Sequence, residues 1–121
     1  MHVDEFLRSV EDRDVITFVL FSADWCTACH PVKTKFATVS AENEAEKMLR
    51  FQTLDIDEEE ELTEHCAIRK IPTVQVWSHR GLISDTHCKS VAEFEKVMGR
   101  FIQIETGTNA GDNEIIFTDD F

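Results

Sequence analysis

The chain is short of positive charge, of long apolar runs and of paired metal ligands, and each shortage removes a class of protein. Twelve Lys and Arg stand against 24 Asp and Glu, a formal net charge of -12 over 121 residues. That excess repels nucleic acid and anionic membranes and steers basic protein surfaces towards the chain; in its plainest role it confers solubility. No stretch reaches the roughly eighteen apolar residues of a membrane-crossing helix. The N-terminus has no basic patch, and Asp4 and Glu5 interrupt any apolar core, so it does not read as a secretion signal. An Arg-rich transit character is also missing, although the mature form of an imported protein has the same look. Internal repeats are absent.

What is present is enough for one folded domain. Apolar residues make up 42% of the chain and nine of them are Phe, which argues against disorder. The four cysteines follow no regular spacing. That usage suits a reducing compartment, the cytoplasm or an organelle interior, better than a secreted disulfide scaffold.

Two of the cysteines are close together, in Cys26-Thr27-Ala28-Cys29. A Cys-x-x-Cys pair either closes reversibly into a disulfide or supplies half of a four-ligand metal site. A metal site needs two further ligands at comparable spacing. Cys66 and Cys88 stand apart, and no second Cys-x-x-Cys or His-x-x-x-His follows. The pair therefore reads as redox chemistry, with no metal.

Periodicity places the pair. Val3, Phe6, Leu7 and Val10 share one face of a short helix, and Arg13-Asp14 makes a turn. Residues 15–21 (VITFVLF) are the β-branched and aromatic run of a central, doubly covered strand. A long helix is expected from about Thr27 to Leu49, bent or broken near Ser40. A strand over Phe51–Ile56, an acidic helix over Asp57–Ala67, and two strands over Thr73–Trp77 and Leu82–Thr86, joined at Arg80-Gly81, follow. Ser90 with Glu93 has the spacing of a capping box, and Val91 to Ile102 is amphipathic. The order α-β-α-β-α-β-β-α describes an α/β sheet flanked by helices on both faces. A domain over residues 1–105 is expected, followed by an acidic tail, 106–121, either flexible or docked on the domain.

A cysteine at a strand-to-helix junction is suited to act as a thiolate. Free N–H groups of a first helical turn and the helix dipole favour the anion. Cys26 is expected as the exposed nucleophile and Cys29, further in, as the resolving thiol. Trp25 offers a flat apolar rim for a substrate peptide. Pro31, just past a first turn capped by Cys26, removes an N–H that would bond near Thr27, so a local distortion is expected there.

With F-S-A-D-W-C-T-A-C, the strand end L-D-I-D at Leu54 to Asp57, A-I-R-K-I-P-T at Ala67 to Thr73 and the hairpin closing at Gly81, the chain resembles the thioredoxin family over about residues 3 to 104. The resemblance implies a thioredoxin fold with a central mixed sheet, here four-stranded because the family's first strand is short or absent. It implies a cis peptide bond before Pro72 and a substrate backbone held against Ile71. It also implies disulfide exchange with disulfide-containing proteins in cell redox homeostasis, without a cofactor, as a monomer. Electrons would come from a reductase or a low-molecular-weight dithiol.

Several positions depart from that family. Thr27-Ala28 stands where Gly-Pro is usual, and these residues tune the redox potential. The family's helix-kinking Pro falls at Thr34. Leu20 occupies the place of a buried Asp that helps deprotonate the resolving thiol, a base worth about 10²–10⁴-fold in rate; His30 is a partial substitute or an exposed helix residue. Lys89 stands where a Gly lets the partner approach, adding bulk and charge to the rim. The segment Glu114 to Phe121 would cover the sheet edge if the first strand is missing. Cys66 and Cys88 read either as regulatory thiols or as buried packing residues. The alternative to an enzyme is a redox-weak adaptor that binds a partner protein through the same groove.

Overall fold

In the computed structural model of this chain, residues 2–103 are described. The elements are α1 (Val3–Ser9), β1 (Ile16–Ser22), α2 (Cys29–Glu42), β2 (Leu49–Asp55), α3 (Glu60–His65), β3 (Thr73–Ser78), β4 (Gly81–His87) and α4 (Val91–Met98). The strands form one sheet in the order β2-β1-β3-β4. β1 runs parallel to β2, with Ile16 opposite Leu49, and antiparallel to β3, with Thr17 opposite Trp77. A mixed four-stranded sheet between helices is the fold that the sequence implied. No strand precedes α1 among the described residues, and the tail 106–121 lies outside them.

Residues alternating along β1 explain the two layers. Phe18 and Leu20 point to one face and meet Val32, Phe36 and Val39 of α2 and Phe94, Val97 and Met98 of α4. Val19 and Phe21 point to the other, against Phe6, Val10, Leu54 and Leu62. β1 is apolar from Phe18 to Phe21 because both faces are covered there. Lys35 Nζ lies 3.4 Å from the buried Glu95 carboxylate and ties α2 to α4. Among the described residues no helix is long and apolar enough to cross a membrane.

Four details differ from the periodic reading. α2 ends at Glu42, where Asn43 caps it by donating from Nδ2 to the Val39 carbonyl (2.8 Å). Met48 is consequently exposed and Leu49 opens β2, so those two do not extend the helix. The acidic helix is shorter than expected. It ends in a Schellman turn in which Ala67 (φ 57°) and Ile68 donate to the Glu64 and Thr63 carbonyls. At α4, Ser90 Oγ accepts from the Glu93 N–H (3.2 Å), but the Glu93 carboxylate accepts from Lys89 N–H rather than from Ser90. The hairpin turn is His79-Arg80, with Gly81 at φ 114°, a value that side chains disfavour.

Candidate active site

β1, parallel to β2 and β4 and antiparallel to β3, delivers four chain segments to one end of the sheet. These are the loop after β1, Asp55 to Asp57 after β2, Ile71-Pro72 before β3, and Cys88-Lys89 after β4. Cys26 and Cys29 form a disulfide in the first of them, with Cα atoms 5.3 Å apart. The pair is packed with Ala23 and covered by Ile56 and Ile71. Cys29 is wholly buried and Cys26 keeps only 8% of its surface, so in the oxidised form Cys26 is not the exposed residue expected from the sequence but is covered slightly less completely than Cys29.

The helix start differs from the expected one. Ala28, not Cys26, is the N-cap, and α2 begins at Cys29. Cys29 and His30 donate to the carbonyls of Cys26 (3.1 Å) and Thr27 (3.2 Å), three residues back. Pro31 accounts for this. Lacking an N–H, it cannot reach Thr27 in an α-helical bond, so His30 takes that carbonyl and the entry tightens to a 3₁₀-like turn. Because the helix starts later, Pro31 falls in its first turn, where a missing donor costs nothing. The distortion thus lies between the two cysteines rather than inside α2, and Thr27 and Ala28 are left exposed in it.

Around the pair, Trp25 is 66% exposed, and its Nε1–H donates to Asp57 Oδ2 (2.7 Å). Asp57 is itself held by its N–H donating to Asp55 Oδ1 (2.8 Å). The sequence alone assigned Asp57 only to an acidic helix start; the L-D-I-D motif was its one signal. Ile71-Pro72 is cis. The Pro72 carbonyl accepts from Cys88 N–H (2.9 Å), and the Ile71 carbonyl accepts from His87 Nε2 (3.3 Å), a contact that no spacing in the sequence signals. His30 is exposed and its Nε2 donates to the Asp24 carbonyl (2.9 Å), which fixes the ring on the loop backbone. Lys89 is exposed in the turn leading to α4.

Leu20 is fully buried against the α2–α4 layer, a position with no carboxylate to take a proton. Cys66 and Cys88 do not join the pair; they lie in the opposite apolar layers of the sheet. Burial, with the charge of Asp85 as a smaller cause, pushes the Cys66 thiol up to about 11. Burial, with the charge of Glu93, does the same to Cys88, also about 11, although a backbone hydrogen bond from Val74 opposes it. Neutral, covered thiols suit packing. Gln75, fully buried, bridges Cys66 to β4 by donating from Nε2 to the Cys66 carbonyl (3.1 Å) and to Asp85 Oδ2 (2.6 Å).

The Thioredoxin family model matches residues 1–100. Thioredoxin domain-containing protein 8 of Rattus norvegicus is 36% identical over 75 residues, 62% of this chain and 55% of that protein. The Mus musculus protein of the same name is 33% identical over 64 residues, 53% of this chain and 48% of that one. The chain thus matches about half the length of these relatives. Among solved structures, Plasmodium falciparum thioredoxin superposes with a TM-score of 0.72 at 20% identity, over 83% of this chain and 94% of that one. Malassezia sympodialis thioredoxin gives 0.70 at 20% identity, over 81% and 86%. Those identities speak for the fold; the family match spans nearly all the described residues and includes the cysteine pair that closes at the end of β1. The chain belongs to the thioredoxin family, and its paired Cys26 and Cys29 support a thiol–disulfide redox function.

Proposed function

We propose that the protein is a protein-disulfide reductase acting on disulfide-containing proteins in a reducing intracellular compartment. The observation that carries this reading is the Cys26–Cys29 disulfide itself, seated at the sheet end with Cys26 less completely buried than Cys29. In the reduced protein, the Cys26 thiolate attacks one sulfur of the substrate disulfide. A Cys26–substrate bond forms, the substrate S–S bond breaks, and the first substrate thiolate leaves and takes a proton. Cys29 then attacks Cys26 Sγ, which releases the second substrate thiol and leaves the Cys26–Cys29 disulfide. Two electrons have passed to the substrate, and a reductase or a small dithiol restores them.

In this reading the neighbouring residues have supporting roles. Trp25, held by Asp57, gives a flat apolar rim. Ile71 covers the disulfide, and its backbone beside Pro72 is the edge on which a substrate strand would pair. Thr27 and Ala28 set the stability of the disulfide against the dithiol, and Lys89 adds positive charge at the rim. Leu20 favours a second reading. Without a base in that position, release of the mixed disulfide is slowed by up to about 10²–10⁴-fold, and the chain would act as a redox-weak adaptor holding its partner in the same groove.

A glutathione redox titration, read by thiol alkylation and mass spectrometry on the wild type and Cys26→Ser, tests both. A two-electron transition confined to Cys26 and Cys29 upholds the oxidoreductase. A midpoint near about -270 mV marks a reductase, and one near about -180 to -120 mV marks an isomerase or oxidant. Independent one-thiol reactions, or a pair that never closes, leave the adaptor.

A further inference from the structure

Beside the Ile71-Pro72 edge lies a polar recess of about 170 Å³ whose walls include Arg69, Lys70, Thr73, Asp85 and His87. It adjoins the cysteine pair through shared parts. Ile71 packs on the pair, and half-buried His87 donates from Nε2 to the Ile71 carbonyl (3.3 Å). The turn is fixed on both sides, since Thr73 Oγ1 donates to the Lys70 carbonyl (2.6 Å) and Cys88 N–H to the Pro72 carbonyl (2.9 Å). Arg69 and Lys70 are exposed. Among the described residues neither makes an ion pair, although the chain carries 24 acidic side chains against 12 basic ones. The one carboxylate among the lining residues, that of Asp85, accepts from Gln75 Nε2 (2.6 Å) instead.

We infer, on the reading of the chain as a protein-disulfide reductase, that this recess takes an Asp or Glu side chain of the substrate and so selects acidic segments beside the reacting cysteine. A substrate strand paired on Ile71 advances about 3.3 Å per residue. A carboxylate one or two residues from the cysteine therefore lies within about 7 Å of that backbone, in reach of the Arg69 and Lys70 side chains. Cations on adjacent residues suit such a group: the Arg69 guanidinium can bond both oxygens, and the Lys70 ammonium adds a point charge. The effect is local. The net charge of -12 repels acidic segments from the chain as a whole, and exposed charges more than about 8–10 Å apart are screened at physiological salt. A preference for acid beside the cysteine is opposite in sign to that overall field, so only groups at the site can produce it.

The test is the rate at which the reduced full chain reduces two disulfide peptides, read by acid quench and mass spectrometry at low salt. The peptides differ only in carrying Glu or Gln at the two positions on each side of the attacked cysteine. The wild type is expected to reduce the Glu peptide at least about fivefold faster. The ratio should fall below about twofold in Arg69→Gln/Lys70→Gln and invert in Arg69→Glu/Lys70→Glu. Each ratio is taken within one protein, so a variant that is only less active or less stable does not imitate the effect. Equal rates on both peptides in the wild type overturn the proposal, as does a Glu preference that survives in the Gln variant. If neither peptide is reduced, the reductase reading fails by itself. Titrating isotope-labelled wild type with the same peptides carrying Ser for Cys, followed by NMR, then decides the recess. Tighter binding of the Glu peptide, with shifts centred on the Lys70 and His87 amides, upholds it, and equal binding overturns it.

Discussion

Exposing the reduced, folded protein to iodoacetamide at pH 7 and following each cysteine by peptide mass spectrometry separates its thiols by their surroundings. Cys88 is wholly buried and Cys66 nearly so (7% exposed), in opposite layers of the sheet. Both thiols are pushed from 9.0 to about 11, chiefly by burial. At pH 7 a thiol titrating at 9.0 is about 1% thiolate and one at about 11 is about 0.01%, so ionisation alone slows alkylation on the order of 100-fold. Exclusion of the reagent from the core slows it further, leaving reaction to the rare open state. Cys26 is therefore expected to be carbamidomethylated first, and Cys66 and Cys88 only once denaturant is added. The sign of the pH effect follows from the same shifts. A folded-state value raised above the unfolded one means that the folded protein holds its proton longer. The stability tied to both thiols is complete below pH 9 and is lost as pH rises through about 11. A denaturant midpoint that falls across that window in the wild type should fall less in Cys66→Ala/Cys88→Ala. Labelling of either thiol in the folded protein within tenfold of the Cys26 rate would refute the packing role and restore a regulatory one.

Three further outcomes are expected. Phe36→Ala removes a ring packed against both Phe51 (5.8 Å) and Phe94 (6.0 Å), and should cost about 3–5 kcal/mol in urea unfolding. Ala67→Gly relieves a left-handed backbone (φ 57°) in the Schellman turn, and should raise stability by about 0.5–1 kcal/mol in the same assay. Asp57→Asn weakens the anchor of the exposed Trp25 indole. It should leave the unfolding midpoint within about 0.5 kcal/mol of wild type, while raising KM for a protein disulfide more than it lowers kcat. An unchanged KM would remove Trp25 from the substrate rim.

The order of elements, the two-faced burial of β1, the Ser90 cap and the cysteine pair were all legible in the sequence, because each is a local pattern. A run such as VITFVLF states its own burial, and a Cys-x-x-Cys states its own proximity. Helix ends were less legible. Leu49 looks like the next apolar position of α2, yet its pairing with Ile16 decides that it starts a strand. Pro31 advertised a distortion beside the pair. Its form, a tightened turn with Ala28 rather than Cys26 at the cap, depended on which donors could reach the Thr27 carbonyl.

What the sequence by itself determined is therefore the set of elements, the apolar stripes that make them pack, and the chemistry that two close cysteines can perform. Tertiary structure alone decided that Asp57 holds Trp25, that His87 meets the Ile71 carbonyl, and that Cys66 and Cys88 lie in opposite layers away from the pair. It also decided that, among the described residues, only one edge of β2 is paired, the other lying beside a groove lined by Phe36, Leu49, Phe51 and Glu44. The physical reason is range. Periodicity and turn chemistry act over a few residues, whereas these contacts join positions 16 to 32 apart or depend on which strand lies beside which. Only the packed sheet brings such positions within a hydrogen bond's reach or sets them on opposite faces.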